Sequence, residues 1–297
     1  MIDIGTNTLL LLVVDAQMNV LADVCSFGRL GKGLDATGEL AESSIAASLE
    51  ICRTYRAKID ELGATQIAIV GTQALREARN RDAFVGPAEE ILGAPLEVIS
   101  GAREAELAFL SVARTFPELA GTPYVVVDVG GGSTEIIATD GERMLGATSV
   151  PIGAVRLTER HLKHDPPTAD EARALFTDID AQLAADPMIA ALRGTRIVAT
   201  AGTATTLAAL AQRLPRYDAV AVTGYKLSTM ALDQQLARLF SANIAARREM
   251  RGMEPGRADV IAGGVAILSR LAHRLDVTEL ITADRGVRWG LAYTLAS

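Results

Sequence analysis

Residues 125–136, VVVDVGGGSTEI, place a carboxylate, a run of glycines, two hydroxyls and a second carboxylate within one short stretch. The β-branched run that begins at Tyr124 reads as a buried strand ending at Asp128, so a charge stands where the strand turns. Gly130, Gly131 and Gly132 carry no Cβ, which lets backbone N–H groups close on an anion, and Ser133 and Thr134 add hydroxyl donors. The chemistry this suits is phosphate binding. A tight hairpin link between two apolar strands is the competing reading.

A second copy of the pattern favours the phosphate loop. The chain starts MIDIGTNTLLLLVVD, and a shift of 125 positions lays Asp3 on Asp128, Gly5 on Gly130, Thr8 on Ser133 and Asp15 on Asp140. Gly5, Thr6, Asn7 and Thr8 thus form a second candidate loop. IVGTQAL from Ile69 and IVATAGT from Ile197 match at an offset of 128. Such repeats are too long for a solenoid and mark a duplicated domain, which predicts paired loops lining a cleft between two halves. The copies are unequal: Leu10 stands where the second has Glu135, and only Met1 and Ile2 precede Asp3, so the first strand reads as clipped. Gly202 and Thr203 make a third glycine loop, leading into a helix whose N-terminus favours anions.

The elements that must carry these loops alternate between strand and helix periods. A long helical stretch runs from about Ala41 to Gly63, QIAIVGT and APLEVIS read as strands, and SGAREAELAFLSVARTF reads as a helix from Ser100. Gly28–Leu40 reads as a glycine-rich loop. Thr168 and Glu171 have capping-box spacing. This order predicts an α/β protein, divided at the GTP of 121–123 into residues 1–121 and 122–297, with the last helix free to pack back on the first domain.

With 297 residues, 49% of them hydrophobic, the chain can build two cores. A net charge of −7 disfavours a general nucleic-acid binder. The two cysteines, Cys25 and Cys52, form no metal spacing and are expected to be reduced and buried. No apolar run can span a bilayer, so a cytoplasmic protein without a membrane partner is expected. His161 and His164 lack a nearby third ligand, and the sole tryptophan, Trp289, reads as core or domain contact.

DIGTNT, GTQALREARN, ISGAREAEL, VVVDVGGGSTEI, HLKHDPPT, TAGTATTLAAL, GRADVIAGGVAIL and ADRGVRWG, in this order, resemble the motifs of the exopolyphosphatase and guanosine pentaphosphate phosphohydrolase family. The resemblance implies two duplicated actin-like, ribonuclease H-like domains of the sugar kinase, Hsp70 and actin superfamily with an interdomain cleft. It also implies Mg²⁺-dependent removal of the terminal phosphate of inorganic polyphosphate, with Mn²⁺ as a second possible ion. Guanosine pentaphosphate, cleaved to tetraphosphate, is the alternative substrate, and a weakly catalytic sensor of either ligand is a third reading. An ATP-dependent sugar kinase is disfavoured, because no aspartate base or sugar pocket can be located.

By the same resemblance Asp128 and Glu135 match the family's metal ligands, hard oxygen donors on the two arms of one hairpin, and Asp3 holds the corresponding place in the first copy. Glu104 matches the base that activates water. Its rival Glu106 lies about 200° around the helix, so the two cannot share a face. The helix dipole would hold Glu104 ionised while burial would raise its pKa. Arg76 matches a family arginine that grips phosphate, a task suited to a planar guanidinium. Arg29, Lys32, Arg103, Arg156 and Arg257 are weaker candidates for the basic surface. Homodimers are expected. The chain departs from the family pattern at Leu10, commonly a basic residue, and at Arg103–Glu104, where paired acids are usual.

Overall fold

The computed structural model describes residues 1–296 and divides the chain into two compact units, Met1–Leu107 with the segment from Val287 onward, and Ala108–Gly286. The division falls inside the helix Gly101–Thr115, not at Gly121. The last helix, Val287–Leu295, belongs to unit 1 because Val287 and Leu291 pack with Val70, Ile99 and Leu107, while Trp289 packs with Leu12.

Unit 1 is built on β1 (Ile2–Ile4), β2 (Leu9–Val14), β3 (Val20–Ser26), β4 (Ile69–Gly71) and β5 (Leu96–Val98), in the order β3-β2-β1-β4-β5. β2 runs antiparallel to both β1 and β3, and β1, β4 and β5 run parallel. Unit 2 uses β6 (Tyr124–Val129), β7 (Thr134–Thr139), β8 (Met144–Val150), β9 (Arg196–Thr200), β10 (Lys226–Ser228) and β11 (Glu279–Thr282), in the order β8-β7-β6-β9-β11-β10. Strand for strand this is the unit 1 sheet with β10 added as an antiparallel edge. The repeated strand order is that of a duplicated domain, as the repeated motifs predict.

The duplication extends to single hydrogen bonds. Gly5 N donates to Thr8 O at 2.9 Å, as Gly130 N donates to Ser133 O at 3.0 Å. Asp15 Oδ1 accepts from Gln17 N and Asn19 N, and Asp140 Oδ1 from Glu142 N and Arg143 N, so each carboxylate closes the next turn of its copy. Both lie below the usual carboxylate pKa: Asp15 chiefly through the Asn19 side chain, Asp140 chiefly through the Arg143 backbone N–H.

β6 and β7 are buried at every position, as the uninterrupted apolar runs require of central strands. Val125, Val127 and Ile136 are fully enclosed, each contributing about 1.5–3 kcal/mol relative to exposure. The helix Glu42–Glu61 ends before Gly63, whose φ of 64° is the left-handed turn that favours glycine. Thr168 and Glu171 make the capping box that opens Ala169–Ala185. Two expectations fail. The Gly28–Leu40 loop contains a helical turn, Leu34–Thr37, flanked by glycines in left-handed conformation. Cys25 is exposed, because alternate residues of edge strand β3 face away from the core, whereas Cys52 is buried. No helix among the described residues is long and apolar enough to cross a membrane.

Candidate functional site

Across unit 2 the strands β9, β6, β7 and β8 bring Thr200, Asp128, Glu135 and Ser149 into one register row. Residues directly opposed on neighbouring strands project from the same face, so the sheet sets two carboxylates side by side. Asp128 is 5% exposed and Glu135 not at all. Glu135 Oε1 accepts hydrogen bonds from Ser133 Oγ at 2.9 Å and Ser149 Oγ at 2.7 Å. Two hydroxyl donors on one oxygen hold that carboxylate in a single orientation.

The glycine loop between them is pinned from behind. Ala154 N donates to Gly130 O at 2.9 Å, Val155 N and Arg156 N donate to Gly131 O at 2.8 and 3.1 Å, and Arg156 Nε donates to Gly132 O at 2.8 Å. The loop carbonyls thereby serve the open N-terminus of the helix Ala154–His161. With its carbonyls so committed, the loop has amide N–H groups to offer a ligand. Its hydroxyls do not play the expected part: Ser133 donates to Glu135, and Thr134 Oγ1 donates to Ile152 O at 2.6 Å.

The third loop opens the helix Ala201–Gln212, with Ala201 at φ 65°, a conformation a residue with a side chain rarely adopts. The N-cap Thr200 makes no side-chain cap; its hydroxyl donates to Ala283 O and Arg285 O at 3.3 and 3.2 Å. The Thr203 hydroxyl donates to Val129 O at 3.3 Å, and the Arg257 guanidinium covers the side of Gly202 where a Cβ would stand. Arg257, a weak candidate from sequence, is thus the basic group at this helix start.

Unit 1 holds a different cluster. Glu104, in the first turn of Gly101–Thr115, is 7% exposed, and its Oε2 accepts from Arg76 Nη1 at 2.7 Å. Arg76 Nη1 also donates to Ile99 O at 3.0 Å, so the arginine expected on phosphate is engaged here by the carboxylate and a backbone carbonyl. Burial pushes the Glu104 pKa up and the Arg76 charge and hydrogen bond pull it back, leaving it above the ordinary range. Glu106, two residues on, is exposed and pairs with Arg103 at 2.9 Å.

Asp3 Oδ1 is enclosed and meets no hydrogen-bond partner among the described residues. Its row explains this: Val70, Asp3, Leu10 and Cys25 are register neighbours where unit 2 has Thr200, Asp128, Glu135 and Ser149. Enclosure pushes the Asp3 pKa up to about 7, the Glu104 charge adds to the rise, and Arg288 opposes it. In the first loop, Thr6 Oγ1 donates to Gln73 Oε1 at 2.9 Å, and the carbonyls of Thr6 and Asn7 accept from Gly31 N and Arg29 N.

Comparison with known proteins decides the family. Residues 11–297 match the model of the Ppx/GppA phosphatase family. The chain belongs to the Ppx/GppA phosphatase family. Among its Ppx/GppA relatives, exopolyphosphatase 2 of Mycobacterium tuberculosis is 38% identical over 99% of this chain and 97% of that protein. A guanosine-5'-triphosphate,3'-diphosphate pyrophosphatase of Vibrio cholerae is 29% identical over 99% of this chain but only 58% of that protein. The crystal structure of an exopolyphosphatase-like protein superposes with a TM-score of 0.93 at 31% identity, covering 99% of this chain and 97% of that one. The Aquifex aeolicus Ppx/GppA member gives 0.79 at 29% identity, with 99% and 95% covered.

The expected Ppx/GppA site residues thus fall into two groups. Unit 2 carries Asp128, Glu135, Gly130–Ser133 and Gly202–Thr203; unit 1 carries Asp3, Gly5–Thr8, Arg76 and Glu104. Among the described residues no three or more His, Cys, Asp or Glu side chains gather as a metal-binding group, so Asp128 and Glu135 stand as a pair. His161 and His164 meet Asp178 and Glu171, each at 2.8 Å, as structural contacts. Sequence reasoning missed Ser149, which has no motif of its own, and the Arg76–Glu104 pair, whose partners lie 28 residues apart.

Proposed function

We propose that this chain hydrolyses the terminal phosphoanhydride of inorganic polyphosphate and releases orthophosphate, with Glu104 as the general base. The observation that carries the reading is the enclosure of Glu104 against Arg76, which raises a carboxylate toward the pKa a base needs near neutral pH while keeping a cation at hand to hold it ionised. Glu106 also has a cation beside it, Arg103, but is exposed and lacks the enclosure.

Asp128 and Glu135 fit a hard divalent ion. They offer only oxygen donors, and Glu135 is oriented by two hydroxyls. Mg²⁺, or Mn²⁺, bound by this pair would neutralise charge on the phosphoryl oxygens. The N–H groups of Gly131, Gly132 and Ser133 grip those oxygens, and the start of the helix at Gly202 with Arg257 receives a more distal phosphate. In the chemical step a water oxygen forms a bond to the terminal phosphorus, its proton passes to a Glu104 carboxylate oxygen, and the bridging P–O bond breaks. The bond electrons leave with the shortened polyphosphate.

Polyphosphate is favoured over the guanosine substrate because the exopolyphosphatase relative is more similar and matches over nearly its whole length, whereas the guanosine relative is matched over 58%. Both substrates end in the same anhydride, so guanosine pentaphosphate is the second reading. Phosphate release from polyphosphate of defined length and from guanosine pentaphosphate, each with and without Mg²⁺, tests both. Glu104→Gln should lower kcat about 10²–10⁴-fold while substrate still binds. A Glu104→Gln protein with full turnover rules out the assigned base.

A further inference from the structure

We propose that Ser149 is a positioning residue for the divalent ion: its hydroxyl fixes Glu135 so that the second carboxylate oxygen serves the metal. This rests on the reading of Asp128 and Glu135 as an ion-holding pair. Ser149 lies outside the glycine loop, on β8, directly opposite Glu135. Its Oγ donates to Glu135 Oε1 at 2.7 Å, shorter than the 2.9 Å contact from Ser133 to the same oxygen.

The geometry makes Ser149 distinct from the other hydroxyls nearby. Thr134 donates to Ile152 O, and Thr200, which flanks Asp128 on the opposite side of the row, donates to backbone carbonyls. Ser133 sits in the glycine loop, whereas Ser149 belongs to β8, which pairs with β7 on both sides of Glu135. Both donors converge on Oε1, so the carboxylate cannot rotate to exchange its oxygens without breaking two hydrogen bonds. A ligand carboxylate held from behind in this way keeps its orientation before the ion arrives.

Unit 1 supplies an internal comparison. There the register partner of β1 Asp3 is Leu10, and the register partner of Leu10 is Cys25. The copy that lacks the second acid also lacks the hydroxyl beside it. A serine retained merely to fill space at a strand end has no reason to follow the acid; one that orients the acid does.

The test measures Mn²⁺ and Mg²⁺ binding to the full chain by calorimetry without substrate, beside thermal melting and phosphate release. Ser149→Ala should weaken divalent affinity about 10–100-fold, as loss of an outer hydrogen bond to a ligand does. Ser149→Thr, which keeps a hydroxyl, should restore most of it. Turnover of Ser149→Ala should recover as Mg²⁺ is raised, with KM for polyphosphate changed less than the ion requirement. Divalent affinity equal to wild type in folded Ser149→Ala overturns the proposal. So does a Ser149→Thr protein, folded by melting, that binds the ion no better than Ser149→Ala. A wild type that takes up no divalent ion removes the metal pair and this inference with it. Absent phosphate release with normal ion uptake would instead sink the assigned reaction and leave Ser149 in its role.

Discussion

Gly153→Ala tests whether the glycine loop is held by the helix behind it. Gly153 has ordinary extended backbone, φ −149° and ψ 162°, so alanine meets no conformational barrier there. What it meets is the loop: a Cβ at Gly153 would lie 2.5 Å from the carbonyl carbons of Gly131 and Gly132, and nearer still to Gly131 O. Ordinary carbon contacts are about 3.5–4.0 Å, so loop and helix must part by about 1 Å. That opening takes the 2.8 Å bond from Val155 N to Gly131 O out of range. Overpacking costs about 1–3 kcal/mol and each lost hydrogen bond about 1 kcal/mol, which together give roughly 3 kcal/mol. For a unit of this size the melting temperature should fall by about 6–12 °C, since each kcal/mol is worth about 2–4 °C. Phosphate release should fall with it, because the displaced amides no longer converge on the anion. Gly86→Ala is the comparison: it lies within the helix Asp82–Leu92 with nothing beyond its chain neighbours within 4 Å of the added carbon, and Pro87 after it offsets the usual helix gain, so stability should change by less than about 1 kcal/mol. Calorimetric melting and phosphate release of both variants decide the matter. A Gly153→Ala protein that melts within about 1 °C of wild type, with unchanged turnover, would refute the reasoning; that shift corresponds to well under 1 kcal/mol.

Asp3→Asn should stabilise the protein at alkaline pH. The folded-state pKa of Asp3 is raised from 3.8 to about 7, so ionising it costs nothing below about pH 4, progressively more up to about pH 7, and a constant amount above. At about 1.4 kcal/mol per unit the gain at pH 8 is up to about 4 kcal/mol, fading to near zero at about pH 4. Urea melts at both pH values check the sign, and an equal gain at each would contradict it. Arg76→Met removes the cation that opposes burial of Glu104, so the acid limb of the phosphate-release profile should move to higher pH. An unmoved limb would show that the rate does not depend on ionising Glu104.

The nearest-neighbour features were readable from residues alone. Asp128 and Glu135 flank one short glycine link, so their pairing follows from a hairpin of that length. The doubling of the fold was readable because each copy repeats the same aspartate, glycine and hydroxyl in order, and the two sheets repeat the same strand order. Contacts that depend on a third strand or a distant helix were not. Ser149 reaches Glu135 only through the β7–β8 register, which shifts between Ala138 and Thr139, and no local pattern announces an irregularity there. The Arg76–Glu104 pair joins two helices whose approach depends on how they pack on their sheet. Composition placed Cys25 inside, but its position on an edge strand placed it outside. The sequence points the hydroxyls of Ser133 and Thr134 toward a ligand, whereas each serves a protein acceptor.

Leu10 and Val70 flank Asp3 in its sheet, neither able to share a metal ion with it, while the sister acid Asp128 lies beside Glu135. Twin sequences begin as equals, and a ligand that is a string has an end and a middle. In the second copy two acids stand side by side, whereas in the first a lone acid stands beside a leucine, so the two halves are chemically unequal. On the proposed reading, the end of the string is told from its middle by which twin it meets.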